Sequence, residues 1–330
     1  MEQHAYEAVR KGVGAMILPF ERCLKMTGAD RVEFLHGLVT NDVKALKEGE
    51  GCYAACLIPE GRMVSDLRIY ALSEALLLLF KESARERLLA HLDHYLFAEE
   101  VQFNLLVDPI LSLQGPLSSP FLSELSGETL SNRPESHQEI RLAGVMVRAF
   151  CHSHTGEEDY DLLIPQKELE SVQEFLSAKG KKIGFRWIDE ETFHRLRIEA
   201  GIPFFGLDMT EATIPVEAGL EQGAISYTKG CYTGQEVIAK VKYIGHVNRY
   251  LVGFRGSNKP FASGCQVLYD GKEAGTLTSA TFSFHLGCQV ALGYIKREFR
   301  NPGAEVEIVV GTDRLAAQIQ TLPFYSSPSR

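Results

Sequence analysis

No apolar run in this 330-residue chain is long enough to span a bilayer. The nearest, ALLLLF at residues 75–80, has the length of a strand. The first twenty residues lack a sustained apolar core followed by a small-residue cleavage site, so no secretory signal is expected. Basic charge is also in deficit. Lys and Arg number 34 against 43 Asp and Glu, a formal net charge of −9, which disfavours a broad interface with phosphate backbones. Cysteines are sparse and odd in number. The seven, at positions 23, 52, 56, 151, 231, 265 and 288, are too scattered for a disulfide framework and fit a reducing cytoplasm. GxxxxGK[ST], GxSxG and GxGxxG are all absent, which removes the signatures of a phosphate loop, a hydrolase elbow and a dinucleotide fold.

What is present describes an ordinary globular protein. Hydrophobic residues make up 45% and charged residues 23%, and the length allows two or three domains. Residues 30–41 (DRVEFLHGLVTN) predict a short helix, with Asp30 as N-cap and Val32, Leu35 and Leu38 facing inward. Strands are predicted at 52–57 and over 63–80, the latter folding back near Ser73–Glu74. A helix follows over 81–96, with Leu88, Leu92 and Leu96 in one stripe. Further strands are predicted at 101–106, 110–113, 145–150 and 160–164, and helices at 167–179 and 190–200. The segment 116–139 is polar, and its latter part, 123–139, reads as a surface loop or insertion. Hairpins and helices up to residue 245 indicate α+β architecture. Six short β runs between 250 and 320 indicate a small barrel or sandwich. We therefore expect two regions, 1–245 and 246–330.

Four places could carry chemistry. KGCYTGQE, residues 229–236, sets Cys231 in a loop held open by Gly230 and Gly234, with Lys229 two residues away to favour the thiolate. An incidental turn cysteine is the plain alternative. In RLRIEAGIPFF, Glu199 ends a helix before Gly201 and could accept two parallel hydrogen bonds from a flat amidine-like edge. Alternatively it pairs with Arg195 on the helix surface. The same choice holds for Glu217. In PEGRMVSDLRI, Asp66 and Arg68 share one strand face, where an acid could handle a proton. Cys52-x3-Cys56, His91-x2-His94 and His152-x-His154 complete no four-ligand pattern. They read as structural cysteines and surface histidines, with no metal site expected.

KGCYTGQE resembles the signature of the YgfZ family of folate-binding proteins, relatives of the aminomethyltransferase (T-protein) of the glycine cleavage system. FLHGLVTNDV, PEGRMVSDLRIY, LRIEAGIPFFGLD with PVEAGL, and SGCQVLYDGKEAGTLTSA with QVALGYIKRE resemble other segments of that superfamily, in order along nearly the whole chain. The resemblance implies two interleaved α+β lobes around a tetrahydrofolate channel, followed by a C-terminal β-barrel. It implies that Glu199 grips the pterin, with Asn41 and Asp42 near the same cleft. We place Glu217, Tyr232 and Gln235 among the expected folate contacts, and Cys231, Asp66 and Lys229 among the reacting groups. Asp66 matches one aspartate of the T-protein Asp-Asp-Leu pair, and Ser65 replaces the other. The leading reading is a monomeric tetrahydrofolate-binding accessory protein for iron–sulfur enzymes, with transient client or assembly partners and no permanently bound cluster. Bacterial clients would include enzymes that modify tRNA. The second reading is a folate-dependent aminomethyl- or methyltransferase, and the third a tRNA-binding or tRNA-modifying protein, ranked last by the acidic charge.

Overall fold

The computed structural model describes residues 2–256 and 258–327. Its first sheet is ordered Arg186–Trp187, Gly14–Ile17, Ile110–Gln114, Asp159–Leu163, Val145–Cys151, Ser136–Leu142. The second is antiparallel: Gly51–Leu57, Met63–Ala71, Leu76–Lys81, Glu21–Thr27, Gln102–Leu106. The chain starts the first sheet, leaves after Ile17 to build the second, and returns at Ile110, so the two lobes are interleaved.

The run ALLLLF shows why both faces of the second sheet are apolar. Leu76, Leu78 and Phe80 enter a core with Leu24, Leu35 and Leu88. Leu77 and Leu79 point oppositely, into a core shared with Met16, Ile110 and Phe193. A strand buried on both sides reads as a continuous apolar run because its side chains alternate between two cores. The central core between the sheets also receives Leu196 of the helix Glu190–Glu199, whose N-cap Asp189 accepts the Thr192 N–H at 2.8 Å.

All six β runs expected beyond residue 250 fall within strands, and these close into a barrel. The α+β class with a C-terminal barrel is thus as expected. Three local expectations differ. The segment read as a loop at 123–139 includes the end of a helix, Ser118–Ser126, and the start of the strand Ser136–Leu142. Phe121 and Leu122 anchor that helix on the first sheet's core. The helix expected over 30–41 is only Arg31–His36, and the Asp30 side chain accepts the Glu100 N–H at 2.7 Å instead of capping it. A helix at Glu2–Lys11 and the strands Gly14–Ile17 and Glu21–Thr27 were not anticipated.

Candidate functional site

Three of the quoted segments meet around the exposed thiol of Cys231. The Thr233 N–H donates to the Gly37 carbonyl at 3.0 Å. Gly234 has φ +83°, and a Cβ there would lie 2.8 Å from the Ile58 carbonyl oxygen. Gly61 has φ +75°, and a Cβ there would strike Val237 at 2.7 Å. The loop thus packs tightly on both FLHG and IPEG, which only glycine at 61 and 234 permits. Gly230 is under no such constraint: a Cβ there would first meet His36, at 3.8 Å.

Lys229 has a different task from the one expected. Its buried ammonium donates to the carbonyls of His36 and Val39 at 2.6 Å and of Asn41 at 2.9 Å. All three of its donors close the turn after the helix Arg31–His36, satisfying carbonyls that the helix end leaves over. Burial lowers its pKa to about 8. Lys229 therefore builds the platform for the Cys231 loop instead of turning its charge on the thiol. The Tyr232 ring, with Lys229 Nζ 4.9 Å from its centroid, is buried among Ala55, Leu57, Met63 and Ile238, and burial pushes its hydroxyl up to about 12. The ring therefore packs in the core, next to the Cys231 loop. Gln235 is half-buried and opens the helix Gln235–Tyr243. Beside Thr233 lies a cleft of about 520 Å³, floored by Phe34, Leu38 and Tyr95 and rimmed by Asp30, Glu33 and Glu99.

The strand Met63–Ala71 carries the second constellation. Asp66 Oδ2 accepts the Tyr53 hydroxyl at 2.8 Å, while the buried Oδ1 has no hydrogen-bond partner. Burial raises the Asp66 pKa, against the opposing Tyr53 hydrogen bond and Arg68 charge. Arg68 lies over the Tyr53 ring at 4.9 Å and pairs with Glu135, so Asp66 and Arg68 do share a face. Ser65 is turned away and buried, its hydroxyl on the Asp66 carbonyl at 2.7 Å. One carboxylate, not two, stands at this point. Asn41 Nδ2 donates to the carbonyls of Tyr53 at 2.8 Å and Gly223 at 3.2 Å, and its Oδ1 accepts the Asp42 N–H. It fixes the strand that presents Tyr53. Asp42 accepts the Ala45 N–H at 3.2 Å and remains partly exposed.

Glu199 is not at an open cleft. It is fully buried. Its Oε2 accepts the Tyr6 hydroxyl and an Arg10 N–H, both at 2.7 Å, and its Oε1 accepts the Ser283 hydroxyl at 2.6 Å. Tyr325 stacks over Arg10, 3.6 Å from guanidinium to ring centroid, and the N–H groups of Phe324 and Tyr325 donate to the Glu199 carbonyl. A flat ligand edge would find these positions filled. Nor does Glu199 pair with Arg195, which bonds Glu191 at 3.0 Å. Glu217 is likewise engaged, by Arg249 at 3.0 Å and the Ile214 N–H at 3.3 Å. Both glutamates tie the lobes to the barrel or the chain ends. Sequence reading missed Arg10 and Tyr6, whose helix is amphipathic but mostly polar, and the buried pair Arg197–Asp208 at 2.7 Å.

Residues 2–229 match the GCVT N-terminal domain, and residues 249–326 the glycine cleavage T-protein C-terminal barrel domain. The chain is 30% identical over 329 residues to an aminomethyltransferase of Halalkalibacterium halodurans, covering 98% of this chain and 89% of that one. It is 28% identical over 326 residues to an aminomethyltransferase of Thermoanaerobacter pseudethanolicus, covering 97% and 88%. The crystal structure of the glycine cleavage system aminomethyltransferase T from Bartonella henselae superposes with a TM-score of 0.89 at 22% identity, over 99% of this chain and 90% of that one. The interleaved lobes, the barrel that follows them and the two domain matches have one common explanation: this chain belongs to the glycine cleavage T-protein (GCVT) family.

Proposed function

We propose that this chain binds a reduced folate, tetrahydrofolate or a one-carbon derivative, and presents Cys231 beside it in support of iron–sulfur enzymes. The observation that carries the reading is the placement of that thiol. It is exposed, yet its loop is pinned by Gly234 on Leu57–Ile58, by Thr233 on Gly37 and by the carbonyl-bound Lys229. An incidental turn cysteine needs no such scaffold. The residues fit a folate unequally. Asp66 offers an oxygen with no protein donor, suited to an N–H of a bound ligand, whereas Glu199 is available only after Arg10 and Tyr6 withdraw. Cys23, Cys52, Cys56, Cys231, Cys265 and Cys288 are free thiols, in keeping with a reducing compartment.

Aminomethyl transfer is the second reading. The curated relatives favour it by name and by full-length alignment, and Asp66 with its free oxygen would be the polar group. The two readings separate in one experiment. Cells lacking the chain are supplied with wild type, Cys231→Ala or Asp66→Asn, and iron–sulfur enzyme activity and tetrahydrofolate-dependent glycine cleavage are both measured. The accessory reading expects Cys231→Ala to match the empty strain in iron–sulfur enzyme activity, with glycine cleavage unaffected. Loss of glycine cleavage in Asp66→Asn, with Cys231→Ala normal in both assays, would establish aminomethyl transfer.

A further inference from the structure

His152 and His154, expected at the surface, are buried beside Asp161 in the first sheet. Their ring atoms converge. His152 Nε2 lies 3.0 Å from His154 Nε2 and 2.9 Å from Asp161 Oδ2, and His154 Nε2 lies 3.0 Å from that same oxygen. Hydrogen bonding alone does not account for this triangle. The Tyr70 hydroxyl donates to Glu135, itself paired with Arg68, at 3.2 Å. The contact of 2.9 Å between Tyr70 and His152 Nδ1 then needs its proton on Nδ1. In the neutral ring, with that proton on Nδ1, His152 Nε2 carries a bare lone pair. That lone pair faces a carboxylate oxygen, also bare on that side. A neutral His154 supplies at most one proton for the three-atom cluster.

The carboxylate is also short of partners. Asp161 Oδ1 is buried with no donor, and no Lys or Arg lies within ion-pair distance of Asp161 among the described residues. A buried carboxylate with no cation in ion-pair reach, faced by two ring nitrogens that have at most one proton between them, is a donor set rather than a finished network. Its dimensions suit a metal. An octahedral ion with bonds of about 2.1 Å sets neighbouring ligand atoms √2 times that apart, about 3.0 Å. Three such atoms form one face of the octahedron. Tyr70, itself on Glu135, holds the His152 tautomer by the device commonly seen behind metal-bound imidazoles.

We propose that His152, His154 and Asp161 bind a divalent first-row transition ion as a two-histidine, one-carboxylate face, with Asp161 Oδ1 available as a further ligand. The site shares no residue with Cys231 or with the groups of the folate reading. The test uses Co2+ as probe. The full chain, carrying Cys231→Ser to remove the exposed thiol, is expressed in cobalt-supplemented medium so that the buried site fills during folding. It is then exchanged into metal-free buffer. One cobalt per chain is expected by mass spectrometry, with a visible spectrum lacking thiolate charge transfer. His154→Gln is expected to empty the site. Tyr70→Phe, which removes only a hydroxyl, is expected to weaken retention against a competing chelator by about 10–100-fold. If His154→Gln fails to fold by circular dichroism, Tyr70→Phe decides alone. A folded parent without bound cobalt overturns the proposal. So does cobalt held equally well by the parent and by Tyr70→Phe or a folded His154→Gln.

Discussion

Glu199→Ala is expected to lower the stability of the folded chain by about 3 kcal/mol in denaturant unfolding. The carboxylate is fully buried and accepts from Tyr6, Arg10 and Ser283. Its removal leaves the buried Arg10 guanidinium with Glu157, at 3.0 Å, as its remaining carboxylate, and two hydroxyls without an acceptor. The effect is below the full cost of orphaning a buried charge because Glu157 persists. An open pterin clamp predicts the reverse: the unfolding midpoint holds and only ligand affinity falls. Glu199→Gln refines the test, since it keeps one oxygen, an acceptor for either Tyr6 or Ser283 but not both, and loses the charge that faces Arg10. An alanine variant as stable as wild type would contradict the structural role assigned here.

Asp208→Ala is expected to cost more, about 3–5 kcal/mol. Arg197 is 2% exposed and sits between the helix Glu190–Glu199 and the barrel. Its Nη1 bonds Asp208 at 2.7 Å, its Nη2 bonds Ser279 at 2.8 Å, and its Nε bonds His194 at 2.7 Å. Asp208 is its only carboxylate within ion-pair distance among the described residues, and it also accepts the Phe204 N–H at 3.0 Å. Alanine at 208 leaves a full positive charge buried without a counter-charge. Removing both charges by Arg197→Met with Asp208→Ala is expected to cost less than Asp208→Ala alone, because no orphaned ion remains. Equal or larger loss in the double variant would show that packing around Arg197, rather than its charge, holds the barrel to the lobes.

Much of this fold was legible because its segments bury themselves in regular patterns. The six barrel strands are short β runs broken by turn residues, and the helix Arg85–Tyr95 shows its stripe in Leu88 and Leu92. The helix Ser118–Ser126 was missed because a few apolar residues in a Ser- and Glu-rich stretch give too weak a stripe. At the site, the sequence marked the right segments but not the direction of their side chains. That Lys229 turns into the His36–Asn41 carbonyls, or that Arg10 reaches Glu199 from 189 positions away, depends on long-range packing that local spacing does not encode. The same holds for His152 and His154. Their spacing was visible, but Asp161 faces them only because the strands Val145–Cys151 and Asp159–Leu163 pair, and the tautomer follows from Tyr70 on the other sheet.

The central claim is that a reduced folate binds here and that the Cys231 thiol acts in a later step. Calorimetric titration of tetrahydrofolate into wild type, Cys231→Ala and Asp66→Asn tests it most directly. The account predicts saturable binding to wild type, the same affinity in Cys231→Ala and weaker binding in Asp66→Asn, whose side chain replaces one of the two carboxylate oxygens by an NH2 group. Absence of tetrahydrofolate binding by folded wild type would contradict it, leaving the T-protein fold without the folate function proposed for it.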